Sequence, residues 1–215
     1  MTDEELMRAA LDEAKIAADL GEVPVGAVVA KDGEIVARAH NLRESGKNAT
    51  YHAELMAIDA ACKALGGWRL WQCELFVTLE PCPMCSGAII NSRLKRVVYG
   101  ARDPKAGCCG SLTDLFALPF NHHPVIESGL LEDEAQALLQ DFFVMLREKR
   151  KKKERLFPWP PLGGGSARRR WGREPCGHPK YFGPWQGSLP PPLRGTSLPE
   201  GGKQVGNELR FYHDK

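Results

Sequence analysis

Residues 74–100 read ELFVTLEPCPMCSGAIINSRLKRVVYG, and this stretch decides the fold. Residues 74–79 are almost wholly apolar, which is typical of a strand at the buried centre of a sheet. A short helix is predicted to follow through residue 90, and residues 96–100 form a second apolar strand. Strands joined through a helix run parallel. We therefore predict that residues 74–79 and 96–100 are parallel strands of one sheet.

The flanking segments complete the predicted domain. Two strands surround Asp32-Gly33, a dipeptide that favours a β-hairpin, so the sheet is expected to be mixed. Amphipathic helices are predicted over residues 3–20, 52–65 and 133–155. The second helix has its apolar stripe at Leu55, Ile58, Cys62 and Leu65. Helices on both faces of a central mixed sheet predict an α/β fold, a three-layer α/β/α domain.

Composition divides the chain near residue 156. Residues 1–146 carry 13 Lys and Arg against 21 Asp and Glu, whereas residues 147–215 carry 16 against 6. Gly and Pro supply 21 of the last 60 residues, and such a segment cannot bury enough apolar surface to offset its ordering entropy. We predict one domain over residues 1–155 and a disordered Gly/Pro/Arg-rich tail over residues 156–215. The basic end favours a polyanionic partner.

Several protein classes are disfavoured by the sequence. No apolar run approaches the roughly 20 residues needed to cross a bilayer. The acidic start, MTDEELMRAA, lacks the basic and apolar regions of a signal peptide. The seven cysteines are an odd number, which argues against a secreted disulfide scaffold. We expect a cytoplasmic protein with reduced thiols and no membrane partner.

Cys82 and Cys85 form a C-x-x-C pair that has three interpretations. A redox dithiol would fit between a strand and a helix, but it gives Pro81 and Pro83 no role. A structural zinc site needs a fourth protein ligand. The candidate donors for it do not have the required spacing: Cys73, Cys108, Cys109, Cys176 and His178.

The third interpretation is a catalytic metal site that includes His52. His52 opens a predicted helix, and Glu54 follows two positions later, where it does not face the same side of the helix. His52, Cys82 and Cys85 then make three protein ligands, with a fourth position open to water, which is the catalytic arrangement for zinc. Glu54 is left free to act as an acid and base. We favour this interpretation, with one Zn²⁺ per subunit.

The order H-x-E…P-C-x-x-C is the signature of zinc-dependent nucleobase deaminases. In that chemistry, activated water attacks the ring carbon that bears the amino group, and the glutamate moves protons to the ring nitrogen and to the departing ammonia. The motif by itself does not choose between cytosine, guanine and adenine, or between a free base and a nucleic acid.

Residues 4–150 resemble the bacterial tRNA-specific adenosine deaminases, members of the cytidine-deaminase-like proteins. The resemblance rests on LGEVPVGAVV, HNLRE, HAE, VTLEPCPMCSGAI, RVVYGARDPKAGCCGSL, FNHHP and FFVMLR. It implies a cytidine-deaminase-like fold, zinc ligands at His52, Cys82 and Cys85, and a proton shuttle at Glu54. It also implies conversion of adenosine to inosine at the wobble position (34) of a tRNA anticodon by a homodimer. The implied partner is a tRNA anticodon stem-loop.

The resemblance further implies that Asn41 holds the flipped adenine. The implied contacts to neighbouring anticodon-loop nucleotides are Asp103, Lys105, Asn121, Phe143 and Arg147. Simpler structural roles stay open for several of these residues. Asn41 could end a strand, Asp103 could begin a turn before Pro104, and one of Phe142 and Phe143 should be core.

Two other functions stay open from the sequence. A free-nucleobase deaminase, for guanine or cytosine, would use the same metal chemistry without needing a basic C-terminal helix. A non-catalytic, zinc-stabilised RNA-binding module would keep its affinity for tRNA after the substitution Glu54→Ala.

Overall fold

The computed structural model describes residues 1–156. Within this range the strands are β1 (Gly26–Lys31), β2 (Glu34–His40), β3 (Cys73–Leu79), β4 (Arg96–Ala101) and β5 (Val125–Ser128). The helices are α1 (Asp3–Asp19), α2 (Ala53–Leu65), α3 (Pro83–Ser92) and α4 (Glu132–Leu156). The strands form one sheet in the order β2-β1-β3-β4-β5.

The predicted strand pairings are confirmed. β3 and β4 are parallel, with Glu74 opposite Arg96 and Leu79 opposite Ala101. β1 pairs antiparallel with both β2 and β3, so the sheet is mixed. The hairpin between β1 and β2 turns at Asp32-Gly33, whose φ angles are 52° and 77°. Both values lie in the left-handed region that Asp and Gly adopt more easily than other residues.

Alternate residues of the central strands face two helical layers, which makes the three-layer arrangement. Leu75 and Val77 of β3 belong to the core cluster that includes residues of α2 and α3. Phe76, between them, packs in a second cluster with residues of α1. α4 joins α1 on that second face through Ala135 and Leu11. The predicted three-layer α/β/α fold is therefore confirmed.

Two details differ from the sequence prediction. The buried face of α2 consists of Ala53, Glu54, Ala57, Ile58 and Ala61. Of the predicted stripe, Ile58 is buried and Cys62 packs partly buried against the core, whereas Leu55 is half-buried and Leu65 is 41 % exposed. Small alanine side chains let the helix lie close to the sheet, and the larger leucines are turned away. β5 was not predicted, because it has only 4 residues and its side chains are mostly exposed.

The topology brings two helix N-termini together beside the sheet. β3 ends at Leu79, and the chain passes through Glu80 and Pro81 toward α3. The start of α2 lies close to the start of α3, because the His52 ring contacts Cys82 and Cys85. Along the described residues, none of the helices combines the length and apolar character needed to span a membrane. The predicted tail over residues 156–215 lies outside the described residues, except for Leu156 at the end of α4.

Candidate metal centre and active site

Three side chains predicted as metal ligands meet where α2 and α3 begin. The His52 Nδ1 atom lies 3.7 Å from Cys82 Sγ and 3.6 Å from Cys85 Sγ. All three donor atoms are within 4.8 Å of one another, and within the described residues no fourth His, Cys, Asp or Glu joins this group. Zinc bonds of about 2.0–2.1 Å to nitrogen and 2.3 Å to sulfur give a tetrahedral N···S edge of about 3.6 Å. The spacing therefore fits three corners of a zinc tetrahedron.

Local sequence explains how these donors are placed. His52 and Cys82 are the N-cap residues of α2 and α3, and both have extended backbone conformations. Pro83 occupies the first turn of α3, where its missing N–H leaves no hydrogen bond unmade. Cys85 is fully buried one turn into the same helix. The partial positive charge at a helix N-terminus favours thiolates at these positions.

The surroundings give the two cysteines different acidities. A hydrogen bond from the Cys85 thiol, aided by His52, lowers the pKa of Cys82 to about 4. The same hydrogen bond, together with burial, raises the pKa of Cys85. The hydrogen bond to Cys82 raises the pKa of His52. The protein itself thus favours one thiolate, and a divalent cation would draw the proton from the second.

Glu54 lies beside this group without belonging to it. Its side chain is only 4 % exposed and lines a cavity of about 210 Å³. His52, Cys82, Asn41 and Asp103 line the same cavity. Burial raises the pKa of Glu54, so its carboxyl is easier to protonate than an ordinary glutamate. A buried carboxyl that can hold a proton in the same cavity as a candidate metal site has the properties of an acid–base group.

Glu80 is a residue of the site that sequence reasoning missed. Its buried carboxylate accepts hydrogen bonds from the backbone N–H groups of Asp103 (3.0 Å), Cys109 (2.8 Å) and Ser111 (3.1 Å), and from the Ser111 hydroxyl. A Cβ atom at Gly107 would collide with the Glu80 carboxyl. Glu80 therefore holds the loop that carries Asp103. The sequence feature that could have indicated Glu80 is its position as an acidic residue directly after the apolar strand β3.

Three more of the predicted substrate contacts lie on a neighbouring groove. Lys105, Phe143 and Arg147 line it together with Arg150. Phe143 is 43 % exposed, whereas Phe142 is 6 % exposed and belongs to the core, as predicted for one of the pair. The loop after β4 carries residues 103 and 105, so it connects the cavity with this groove. The groove combines an exposed aromatic ring with cationic side chains.

Asn121 is not among the lining residues of the cavity or the groove. Its side-chain oxygen accepts a hydrogen bond of 2.8 Å from Arg93. The Asp103 side chain accepts from the Lys105 N–H at 2.9 Å, so the turn role considered for Asp103 is also present. The rings of His122 and His123 each bond a backbone carbonyl of a neighbouring segment.

Comparisons with known proteins agree with this geometry. Residues 1–147 match the family model described as MafB19-like deaminase. The chain belongs to the MafB19-like deaminase family. A relative named tRNA-specific adenosine deaminase, from Bacillus subtilis, is 54 % identical over 153 residues, which are 70 % of this chain and 95 % of the relative.

Two solved structures are similar to this MafB19-like deaminase. One comes from a study of A-to-I editing by tRNA:A34 deaminases at the wobble position, and it is 44 % identical with a TM-score of 0.62. The match spans 63 % of this chain and 99 % of that structure's chain. A guanine deaminase from Nitrosomonas europaea is 24 % identical, covers 66 % of this chain and 85 % of its own, and has a TM-score of 0.54. The second likeness supports the fold alone.

Proposed function

We propose that this protein is a zinc-dependent deaminase that converts adenosine to inosine at the wobble position of a tRNA anticodon. The chemistry rests above all on one observation: buried Glu54 lines the same cavity as the three-donor group without being part of it. The substrate is supported by the names of the relatives, at up to 54 % identity.

His52, Cys82 and Cys85 would hold the ion, and their donor set of one imidazole and two thiolates suits zinc. A bound zinc ion supplies an activated water for attack on the carbon that bears the amino group. The Glu54 carboxylate would take one proton of that water and deliver it to the ring nitrogen. It would then take the second proton, from the hydroxyl now on the carbon, and deliver it to the amino group, which leaves as ammonia. Adenosine and water are thereby converted to inosine and ammonia.

The surroundings of the cavity suit a base taken out of an RNA loop. A single-stranded base can be turned outward, bonded along its edge and flanked by aromatic side chains. Asn41 would bond the adenine, because its amide offers a donor and an acceptor. The neighbouring nucleotides would be contacted by the remaining predicted residues: Asp103, Lys105, Asn121, Phe143 and Arg147. We further expect a cytoplasmic homodimer.

The test is a comparison of substrates with one matched variant. The protein, loaded with zinc, is incubated with an anticodon stem-loop that carries adenosine at position 34, and nucleosides are separated after digestion. Free guanine and free cytosine are assayed in parallel. We expect inosine from the stem-loop and no turnover of the free bases. Glu54→Gln should lose about 10²–10⁴-fold in rate while keeping its zinc.

The outcomes separate the competing functions. Consumption of a free base without inosine in the stem-loop would establish the free-nucleobase deaminase instead. Tight tRNA binding without release of ammonia from the wild-type protein would establish the RNA-binding module.

A further inference from the structure

Glu22 is a buried carboxylate shortly before the start of β1. It is 1 % exposed. The loop after β2 gives it three hydrogen bonds: the Ser45 N–H donates at 2.6 Å, the Glu44 N–H at 3.1 Å and the Asn41 side-chain amide at 3.4 Å. The first bond uses Oε1 and the other two use Oε2. Both oxygens of Glu22 are therefore engaged by this loop.

Glu22 is a hydrogen-bond acceptor on both carboxyl oxygens, because two backbone N–H groups and the Asn41 amide donate to them. Burial alone would raise the pKa of Glu22, but the N–H groups of Ser45 and Glu44 hold its pKa below the ordinary value. An ionised carboxylate can only accept hydrogen bonds. The Asn41 amide must consequently turn its NH₂ group toward Glu22, and the opposite orientation would place two oxygens against each other.

The orientation of Asn41 decides what the cavity presents to a base. Its backbone N–H is bonded to the Val25 carbonyl at 3.0 Å, so the main chain is fixed independently of Glu22. Its side chain lines the cavity that contains Glu54. Because Glu22 holds one N–H of the Asn41 amide, the amide has one orientation. A base in the cavity would therefore meet the amide oxygen and the second N–H in one fixed arrangement. A base edge with one donor and one acceptor fits only one of the two amide orientations.

We propose that Glu22 is a positioning residue for adenine recognition, acting through the Asn41 amide. The inference rests on the proposed function, because it concerns the base that the deaminase would bind. Glu22 itself is not among the residues that line the cavity, so it acts only through its neighbour.

The substitution Glu22→Gln tests this with little change of shape. A glutamine side chain has one acceptor oxygen in place of two. It therefore cannot accept both the Ser45 bond, made to Oε1, and the Glu44 and Asn41 bonds, made to Oε2. We expect kcat/KM for the wobble stem-loop to fall about tenfold or more, since hydrogen bonds to charged groups are stronger than neutral ones. Glu22→Asp keeps the charge but shortens the reach, and it should show an intermediate loss. Glu34→Gln, at an exposed position at the start of β2, is the matched control.

A double-mutant cycle separates positioning from a general structural role. In the Asn41→Ala background, Glu22→Gln should lower kcat/KM by less than about threefold, because the amide through which Glu22 acts is already missing. If Glu22→Gln lowered kcat/KM by the same factor in the wild-type and Asn41→Ala backgrounds, Glu22 would act independently of Asn41. The inference would then be wrong.

A second readout does not depend on catalysis. Backbone amide exchange at Glu44 and Ser45 should accelerate at least about tenfold in Glu22→Gln and stay unchanged in Glu34→Gln. Unchanged exchange in Glu22→Gln, with inosine still formed by the wild type, overturns the inference alone. Absence of inosine from the wild type with every substrate overturns the proposed function, and the adenine role of Glu22 with it.

Discussion

His52 and Glu54 show how two nearby residues acquire different roles. His52 lies at the N-cap of α2, with φ −82° and ψ 148°, and its ring reaches across to the two cysteines. Glu54 lies in the first helical turn and is buried toward the cavity. Residues two apart on a helix point to different sides. A one-residue shift of the helix start would therefore misplace both the proposed metal donor and the proposed acid–base group.

Replacement of Cys85 tests the proposed metal site. Cys85→Ser should lower zinc affinity by more than about 100-fold, because removal of a ligand should exceed the 10–100-fold effect of removing an outer-shell partner. Zinc content per chain, measured by plasma mass spectrometry after dialysis, checks this. The melting temperature should fall with the zinc content, since a bound metal stabilises the folded state.

Cys62→Ser is the control for Cys85→Ser. Cys62 is a free, half-buried cysteine outside the three-donor group. Full zinc content in both variants would contradict the assignment of Cys85 as a ligand.

The proposed ligand positions could be predicted from the sequence because their spacing is typical of a metal-binding motif. Cys82 and Cys85 form a C-x-x-C pair, and His52 precedes Cys82 by 30 residues. Histidine and cysteine are residue types that commonly bind zinc. Glu22 and Glu80 were not recognised, because their role depends on which loop N–H groups face them. Those hydrogen bonds form only when the strands assemble, and no local pattern indicates them.

At the scale of elements, β1 and α1 approach each other closely at Gly26. A Cβ atom on Gly26 would overlap the backbone of α1 at Ala10 and Ala14. Gly26 therefore allows the first helix to rest against the sheet.

We expect Gly26→Ala to lower the free energy of unfolding by about 1–3 kcal/mol, the usual cost of overpacking, or more because backbone atoms must move. Urea denaturation followed by circular dichroism measures the change. Gly67→Ala is the matched control, because a Cβ there meets no atom within 4 Å. Equal stability of the two variants would show that α1 can shift away from β1 without cost.

The elements were predicted where local chemistry determined them. The β3–α3–β4 unit and the Asp32-Gly33 hairpin were correct, because apolar runs and turn residues specify them locally. The face of α2 was predicted only in part, because hydrophobicity favoured Leu55 and Leu65, whereas close packing against the sheet selected Ala57 and Ala61. β5 depends on its pairing with β4, and this pairing is a tertiary contact.

At the scale of the whole molecule, charge is distributed unevenly. Residues 147–215 carry 16 Lys and Arg against 6 Asp and Glu. Arg150 and Lys151 are exposed on α4, and Arg150 lines the groove beside Arg147. An RNA that meets this surface would release counterions from its phosphates on binding.

Replacement of Arg150 and Lys151 by Gln should therefore flatten the salt dependence of tRNA affinity. The slope of log K against log salt should change by about 0.7–0.9 for each phosphate that the variant no longer neutralises. Binding titrations at several salt concentrations provide the slopes. Lys15→Gln with Lys63→Gln removes the same charge from exposed positions on α1 and α2. An equal change of slope in that control would mean that net charge, rather than α4, sets the effect.

The chain after α4 contributes none of the proposed site residues. The proposed metal ligands, Glu54 and the proposed substrate contacts all lie between Asn41 and Arg147, and the Bacillus subtilis relative is matched over 95 % of its length by 70 % of this chain. Truncation after Arg155 should therefore leave kcat/KM for the wobble stem-loop within about threefold of the full chain. Steady-state inosine formation by both proteins measures the ratio.

The charge of residues 156–215 supplies the alternative outcome for this truncation. These residues carry 9 Lys and Arg against 4 Asp and Glu, so they could add phosphate contacts to those of α4. A full-length variant with those 9 residues changed to Gln separates charge from length. If truncation and neutralisation both weaken tRNA binding strongly and equally, the tail is an RNA-binding arm, because only its charge is common to the two changes.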